Sequence, residues 1–467
     1  MPMYETILNL DARTGKSLYE QIYEYLKGEI QRGNIRCGER LPSTRLLSRQ
    51  LDVSRSTAQM AYDQLLAEGY IEAVPRRGYF VCRMEELYHL EQEEAEPEEW
   101  EECPEKELMF DFAPNGIDLD CFPYATWRKL SREVLQDDQK ELFHLGDPGG
   151  EYALRAAISR YLHQARGMNV RPSRIVIGAG NDYLQMLLSR MLGTERRIAM
   201  ESPGYRHAWE IFRRLGYDCC TVSMDRHGMD VQELRESGAD TAYVMPSHQF
   251  PIGIVMPVRR RQELLQWAEE REGRYIIEDD YDSEFRYVGK PIPALQGMDT
   301  HQKVIYIGTF SKSIAPSIRI SYLVLPTPLL ERCRQVSRCF SCTVSRTDQK
   351  MLQLFIERGY FERHLNRMRA VYKSKHDTLL SELKRLKGVK KIFGERSGVH
   401  VLVQMAGGMS EQELAGRAER AGVRVYPLSE YCIGGMTYEP TVILGYATMK
   451  VEAIPKAAAL LAGSWET

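Results

Sequence analysis

Apolar residues follow two different patterns, one before residue 83 and another after about residue 108. In the first part, apolar residues spaced four apart predict an amphipathic helix over about residues 17–33. They are Leu18, Ile22, Leu26 and Ile30. Ser43 and Ser54 can each cap a further helix, STRLLSRQL and SRSTAQMAYDQLLAEG, and two strands, YIEAV and GYFV, follow. The pattern predicts three helices and a hairpin.

After residue 108, short apolar runs alternate with stretches of helical period such as DYLQMLLSRML and RRRQELLQWAEE. The runs are IVIGAG, RIAM, TAYVM, YIIEDD, VIYIG and SYLVL. This alternation is typical of βαβ units, so we predict an α/β domain with a mostly parallel sheet covered by helices. From about residue 340 a long helix, FIERGYFERHLNRMRAVYKSKHDTLLSELKRL, precedes short strands HVLVQM and VRVYPL and a last helix, which predicts a small α+β subdomain.

Between these parts, residues 84–107 carry 12 Asp and Glu against one lysine. Such a segment cannot bury enough apolar surface to fold, and we predict an extended acidic linker. A short acidic helix at EELYHLEQEE is the alternative. The predicted domains are therefore 1–83, the linker 84–107, and 108–467.

Composition narrows the class of protein. The chain has 467 residues, 43% of them hydrophobic, and a net charge of -3, which argues against a protein that binds nucleic acid over its whole surface. We find neither an apolar run long enough for a membrane span nor a secretory signal, and we expect a cytoplasmic protein. The ten cysteines have no framework spacing, and the pair Cys339 and Cys342 lacks a second ligand pair, so we predict no metal site.

The third predicted helix begins with residues suited to DNA. Arg55, Ser56 and Thr57 occupy its first turn, where the partial positive charge of the helix favours phosphate and short side chains can reach base edges. Arg77 and Gly78 lie at the tip of the hairpin and could contact a neighbouring groove. A helical domain that binds another protein remains the alternative.

The segment from Leu18 to Val81 resembles the GntR-type winged helix-turn-helix. The elements LPSxRxL, VSRxT and GYFV carry the resemblance. It implies that this domain binds double-stranded DNA, and that Arg45, Arg55, Thr57 and Gly78 are among the residues that contact it.

One lysine follows a predicted buried strand in KVIYIGTFSKSIAPSIRIS. Its amine, on Lys312, could form a Schiff base with pyridoxal 5′-phosphate (PLP). Arg319 could bind the phosphate and Ser311 could add a hydroxyl. A second phosphate element is predicted at Gly180 and Asn181, which open a helix after a strand.

Three further residues would complete a PLP site. Asp279, at the end of RYIIEDDYD, could pair with the pyridinium nitrogen. Tyr205 could lie on the ring face, and Tyr281 could hydrogen-bond the phenolate oxygen. Ligands in open α/β sheets bind at the carboxyl ends of strands, where these residues are predicted to meet.

The segments SHQFPIG, EDDYDSEFRY, PIPALQG and YIGTFSKSIAPSIRISY resemble the MocR/GabR-like subfamily. That subfamily joins a GntR-type head to a fold type I aminotransferase-like domain, and the resemblance covers about residues 17–82 and 110–462. It implies that Lys312 holds PLP, Asp279 pairs with the ring nitrogen and Arg319 binds phosphate. It also implies a head-to-tail homodimer that senses an amine or amino acid by aldimine exchange and changes transcription.

The chain departs from the pattern of its predicted relatives at several positions. Phe250 stands where aminotransferases have the Asn of Asn-Pro-x-Gly, and Leu145 stands where many relatives have a tyrosine, for which His144 is a candidate replacement. Glu430 stands where aminotransferases and several relatives have a carboxylate-binding arginine, and His207 stands where the members that sense γ-aminobutyrate (GABA) have an arginine. We therefore expect an effector other than GABA: a diamine, a basic amino acid or a dipeptide-like amine.

Three alternatives remain open at this point. Glu430 could face solvent without contacting the effector. The chain could be an active aminotransferase with an accessory DNA-binding head. The PLP domain could also serve only as a dimerising scaffold.

Overall fold

The computed structural model describes residues 16–83, 108–136, 140–287, 289, 292–395, 397–435 and 438–465. The predicted linker, 84–107, lies outside the described residues. The chain divides into two compact units, Met1–Glu105 and Lys106–Thr467. Among the described helices, none is long and apolar enough to cross a membrane.

The N-terminal unit contains the three predicted helices and the hairpin. Its helices are Leu18–Gln31, Thr44–Gln50 and Arg55–Ala67, and its antiparallel strands are Ile71–Val74 and Gly78–Val81. Ser43 and Ser54 cap the second and third helices, since their hydroxyl oxygens accept from the backbone N–H groups of Leu46 at 3.2 Å and Thr57 at 3.1 Å.

A single apolar core holds these elements together. Its buried residues include Ile22, Leu26 and Ile30 of the predicted stripe, but Leu18 is 39% exposed because it lies in the first turn, beyond the packed face. Tyr62 is buried in this core and its hydroxyl donates to the carbonyl oxygen of Pro42 at 2.8 Å, which ties the third helix to the loop before the second.

A seven-stranded mixed sheet forms the centre of the second unit, which confirms the predicted α/β fold. In spatial order its strands are Ile175–Gly178, Ser321–Val324, Val304–Thr309, Tyr275–Asp280, Thr241–Val244, Arg197–Glu201 and Asp218–Val222. Ser321–Val324 is antiparallel to both neighbours and the other pairs are parallel. The six predicted runs are strands, and Asp218–Val222 is an additional one.

Helices cover both faces of this sheet. Along Val304–Thr309, the side chain of Tyr306 packs into one core while Ile305 and Ile307 pack into another. Because both faces are buried, the strand reads as a continuous apolar run. The larger covering helices are Tyr124–Val134, Tyr152–Arg166, Gly180–Leu192, Arg206–Arg214, Val258–Glu269, Leu330–Ser337 and Arg346–Glu357, with a shorter one at Val231–Glu236.

A smaller lobe is built on a four-stranded antiparallel sheet. Its strands, in order, are Val389–Phe393, His400–Met405, Thr441–Gly445 and Tyr426–Pro427. The helices Glu411–Arg420 and Ile454–Trp465 complete it, and Phe110–Asp111 adds a short parallel pairing with Val423–Arg424. Residues that follow the acidic segment therefore also contribute to this lobe.

The long helix predicted near the start of the small lobe is two helices. Arg346–Glu357 ends before Gly359, whose φ of +69° is left-handed, and Tyr360–Leu383 begins after it. The second helix joins two cores: Phe361 belongs to the core of the large lobe and Met368 to that of the small lobe. The boundary between the lobes thus falls inside this helix.

Candidate functional site

A pocket of about 130 Å³ opens at the carboxyl ends of the parallel strands. Because those ends meet at one edge of the sheet, residues far apart in sequence converge there. Its lining contains all the predicted cofactor residues except Gly180, and also Phe250, which the sequence placed where aminotransferases have an asparagine. It further contains residues that were not predicted to bind the cofactor: Asn115, Asp182, Met245 and Thr309.

Lys312 lies in the loop that follows strand Val304–Thr309. Its Nζ donates to the carbonyl oxygen of Asn115 at 2.5 Å. Burial lowers the pKa of Lys312 to about 8, against the opposing effect of Asp282. The loop itself is held by helix Tyr360–Leu383, since the His364 ring lies 2.9 Å from the carbonyl oxygen of Ser313. The amine is therefore fixed in place and more readily deprotonated than an exposed lysine.

Asp279 is the penultimate residue of strand Tyr275–Asp280 and is almost completely buried. One carboxylate oxygen accepts from the hydroxyl of Tyr243, while Oδ1 has no hydrogen-bond partner in the described part of the chain. Burial raises the pKa of Asp279 to about 7, although the Tyr243 hydrogen bond opposes this. A buried acceptor on a pocket wall is suited to a cationic or N–H group of a ligand.

Arg319 and Gly180 form a cradle at the start of helix Gly180–Leu192. A Cβ added to Gly180, whose φ is +85°, would overlap the Arg319 guanidinium, so only glycine allows the arginine to lie over the helix N-terminus. Arg319 Nη2 contacts Asp182 Oδ2 at 3.1 Å. Asn181 and Ser311 line the same pocket. Free helix N–H groups beside a guanidinium suit an anion such as a phosphate.

Three aromatic rings form the apolar walls. Tyr205 and Phe250 are perpendicular with centroids 6.2 Å apart, and Phe250 and Tyr281 are perpendicular at 5.8 Å. Behind Tyr281 lie His248 and Asp282, which sequence reasoning missed although both belong to segments, SHQFPIG and EDDYDSEFRY, that carry the family resemblance.

The two residues predicted to bind an effector differ in position. His207 is exposed, and its Nε2 lies 3.0 Å from Oδ1 of Asp182, which lines the pocket. Glu430 is also exposed and is not among the lining residues; its carbonyl oxygen accepts from Arg206 at 3.3 Å. His144, proposed as a replacement for a tyrosine, is exposed in a loop, where its carbonyl oxygen accepts from Arg346 at 3.1 Å.

The predicted DNA contacts lie on the surface of the N-terminal unit. Arg45 and Arg55 are exposed at the beginnings of the second and third helices, and neither forms an ion pair with another described residue. The hydroxyls of Ser56 and Thr57 lie 2.7 and 2.8 Å from that of Ser54, which caps the third helix.

The hairpin supplies a second basic surface. Its turn requires a left-handed backbone at Arg76 (φ +64°) and at Gly78 (φ +109°). Arg77 is exposed, and its guanidinium lies over the ring of Phe80 with 5.5 Å to the centroid.

Comparison with known proteins assigns both units to families. Residues 18–81 match the family "Bacterial regulatory proteins, gntR family", and residues 111–459 match "Aminotransferase class I and II". The HTH-type transcriptional regulator YdeL of Bacillus subtilis is 38% identical over 96% of this chain and 97% of its own. The probable rhizopine catabolism regulatory protein MocR of Rhizobium meliloti is 31% identical over 94% of this chain and 92% of its own.

The chain belongs to the MocR-like family of GntR-type transcriptional regulators. Both relatives cover nearly the full length, so this MocR-like chain combines the helix-turn-helix and the aminotransferase-like unit as its relatives do. The resemblance drawn from LPSxRxL, VSRxT and SHQFPIG is thereby confirmed.

Solved structures agree on the fold of the MocR-like chain's second unit. A kynurenine aminotransferase from Pyrococcus horikoshii superposes with a TM-score of 0.69, covering 77% of this chain and 90% of its own at 24% identity. The α-aminoadipate aminotransferase LysN from Thermus thermophilus, complexed with N-(5′-phosphopyridoxyl)-L-leucine, gives 0.68 over 77% and 92% at 25% identity. The unit therefore has the fold type I aminotransferase architecture.

Proposed function

We propose that this regulator binds PLP at Lys312 and uses the bound cofactor to sense an amine or amino acid. The observation that carries the proposal is the convergence of Lys312, Asp279 and Arg319 in one pocket. The pyridoxyl ligand in the related LysN structure supports the choice of cofactor. The proposed output is altered binding of DNA by the N-terminal unit.

The pocket residues fit PLP on the evidence of their own geometry. Asp279 Oδ1 is a buried acceptor that no described residue satisfies, and a ring N–H would satisfy it. The space over Gly180 that a Cβ would fill is open to Arg319 and a phosphate. When bound, PLP supplies an aldehyde carbon that condenses with primary amines.

The side chains of this regulator then have separate tasks. Lys312 supplies an amine whose lowered pKa, about 8, leaves part of it uncharged near neutral pH, as a nucleophile requires. Arg319 and the N-terminus of helix Gly180–Leu192 bind phosphate, Asp279 holds the ring nitrogen, and Tyr205 covers the ring face.

The charges on the pocket wall favour an effector with a second cationic group. Once the cofactor engages Lys312, Asp279 and Arg319, Asp182 is the remaining charged side chain among the lining residues. Its contact with His207 extends this polar surface outward. A free carboxylate on the effector would face Asp182 without a lining cation of its own, whereas a diamine or a basic amino acid would be complementary.

A homodimer is part of the proposal. Two apolar side chains in the loop around residue 145 are strongly exposed, Phe143 at 71% and Leu145 at 88%, and Tyr152 nearby is 65% exposed. Apolar side chains that are this exposed favour burial against a second chain. Light scattering after gel filtration should give the mass of a dimer, and the head-to-tail arrangement is the one that the family resemblance implies.

Visible absorption of the purified protein tests the assignment. Addition of PLP should produce a stable band in the wild type and in Lys303→Ala, a lysine at the start of the same strand, but not in Lys312→Ala, which should still bind DNA. A diamine or basic amino acid should shift the band without releasing an oxo acid, and Asp182→Asn should weaken that response.

Other outcomes would change the assignment. Absence of a band in the wild type would overturn PLP binding at Lys312. Release of an oxo acid would establish the alternative, an active aminotransferase with a DNA-binding head. A shift with GABA and none with amines would contradict the proposed effector class.

A further inference from the structure

A buried polar pair lies directly behind Tyr281. His248 is 3% exposed and Asp282 is 1% exposed. His248 Nδ1 lies 2.8 and 3.0 Å from the two carboxylate oxygens of Asp282 and 3.0 Å from the hydroxyl oxygen of Tyr281. The rings of His248 and Tyr281 are stacked within 25° of parallel. The pair therefore lies between the protein interior and a residue of the pocket wall.

The contact with Asp282 decides which histidine nitrogen carries the proton. An ionised carboxylate only accepts hydrogen bonds, so Nδ1 facing both oxygens of Asp282 must be protonated and must donate. A protonated Nδ1 has no lone pair with which to accept the hydroxyl proton of Tyr281. The tyrosine oxygen can only accept a share of the hydrogen bond that Nδ1–H donates. The hydroxyl proton of Tyr281 is then left for another acceptor.

Tyr281 is held in its protonated form. Burial, with added repulsion from Asp282 and Asp279, raises the pKa of its phenol well above the ordinary value. The pocket-lining neighbours Phe250 and Met245 offer no oxygen acceptor. Other titratable groups that interact with Asp282 or His248 include Lys312, His400, Tyr287 and Tyr446. Asp282 is itself a hydrogen-bond partner of the phenol, and a ligand in the pocket can offer a second acceptor from the opposite side.

The His248 ring has little freedom to rotate away. A Cβ on Gly398 would overlap its imidazole, and one on Gly253 would lie 3.2 Å from Nε2, so two glycines with positive φ make room for it. His400 packs alongside at 5.7 Å between centroids, and its own Nε2 lies 2.7 Å from the carbonyl oxygen of Pro251. The orientation of His248 is thus fixed from several sides.

We propose that Asp282 and His248 are positioning residues that make Tyr281 a hydrogen-bond donor to the ligand in the pocket. The inference rests on the proposed function, in which that ligand is PLP and presents an acceptor oxygen on its ring. Donation to that oxygen stabilises its deprotonated form and so lowers the pH at which the visible band titrates.

The test compares Tyr281→Phe, Asp282→Asn and the double variant in the PLP-loaded protein. Tyr281→Phe removes the donor and should raise the pH midpoint of the band by about one to two units. Asp282→Asn removes the charge that keeps the proton on Nδ1, so the imidazole can carry its proton on Nε2 instead, and the free lone pair of Nδ1 can then accept the Tyr281 hydroxyl proton. The midpoint should rise in the same direction, and PLP should dissociate more readily in equilibrium dialysis.

The double variant separates positioning from general destabilisation. If Asp282 acts through Tyr281, the double variant should have the midpoint of Tyr281→Phe alone, because the two effects share one hydrogen bond. His376→Gln is the matched control: His376 is buried and lies 3.0 Å from Asp377, but its ring packs against Tyr446 of the small-lobe core. It should leave the midpoint unchanged.

Two results would overturn the inference while leaving PLP binding intact: an unchanged midpoint in Asp282→Asn, or additive shifts in the double variant. If the Asp282 variant does not fold, His248→Phe takes its place, because phenylalanine cannot donate to Asp282. The same comparison of single and double variants is then made with His248→Phe and Tyr281→Phe. Failure of the proposed function looks different, since the wild type would then show no band at any pH.

Discussion

Replacing Asp279 with asparagine should stabilise the cofactor-free protein and weaken its binding of PLP. Burial raises the pKa of Asp279 from 3.8 to about 7. Between these values the folded protein keeps a proton that the unfolded chain has lost, so stability falls as the pH rises through the window. At 1.36 kcal/mol per unit, the ionised carboxylate costs the folded protein about 4 kcal/mol at pH 8, of which about 3 kcal/mol develops between pH 5 and pH 8.

Asparagine keeps the shape of the side chain and its oxygen can still accept from the hydroxyl of Tyr243. It carries no charge at any of these pH values. The free energy of unfolding of the variant should therefore exceed that of the wild type, and the gain should be about 3 kcal/mol larger at pH 8 than at pH 5. Urea unfolding of the full chain, followed by tryptophan fluorescence, measures it, since four of the five tryptophans lie in the second unit.

Glu201→Gln is the matched control. Burial also raises the pKa of Glu201 to about 7, but Glu201 is not among the residues that line the pocket. Its replacement should flatten the pH dependence of stability in the same way while leaving PLP affinity unchanged. Equal pH profiles for wild type and Asp279→Asn would refute the raised pKa, and unchanged PLP affinity in that variant would refute its contact with the ring nitrogen.

Two further substitutions test the phosphate cradle and the DNA surface. Gly180→Ala should weaken PLP binding at least about tenfold in equilibrium dialysis, because the added methyl group would displace Arg319; Gly193→Ala, at a glycine of similar φ with open space around it, should not. Arg55→Ala should lower affinity for a DNA duplex and reduce the salt dependence of binding by about one ion, whereas Arg32→Ala, which removes a cation paired with Glu29, should have little effect. Retained PLP affinity in the first case, or an unchanged salt slope in the second, would contradict these roles.

The strand ends and their polar residues were predictable because they depend on local signals. A buried parallel strand is a continuous apolar run; Asp279 lies at the end of one such strand, and Lys312 lies three residues after another. Asn115, which contacts Lys312, has no such signal, because nearly two hundred residues separate it from its partner. Its neighbour Gly116 marks only a turn in the sequence, although a Cβ there would meet Thr448.

The break at Gly359 was missed for a related reason. A single glycine in a helix costs only about 1 kcal/mol, so apolar periodicity alone continues through it. The helix ends there because Gly359 adopts a left-handed backbone, and Phe355 before the break and Phe361 after it pack in the same core, an arrangement visible only in the packed structure. Strand Asp218–Val222 escaped prediction because its sequence, DCCTV, begins with an exposed aspartate and is only partly buried.

Helix Tyr360–Leu383 gives the molecule a mechanical link between the lysine and the small lobe. Its 24 residues make a stiff rod about 36 Å long. Near one end His364 contacts the carbonyl oxygen of Ser313, the residue after Lys312, and further along Met368 and Tyr372 are embedded in the small-lobe core. A tilt of this rod of about one tenth of a radian at His364 would displace its far end by about 3 Å. A small shift of the loop around Lys312 could therefore produce a larger displacement at the far end of this helix.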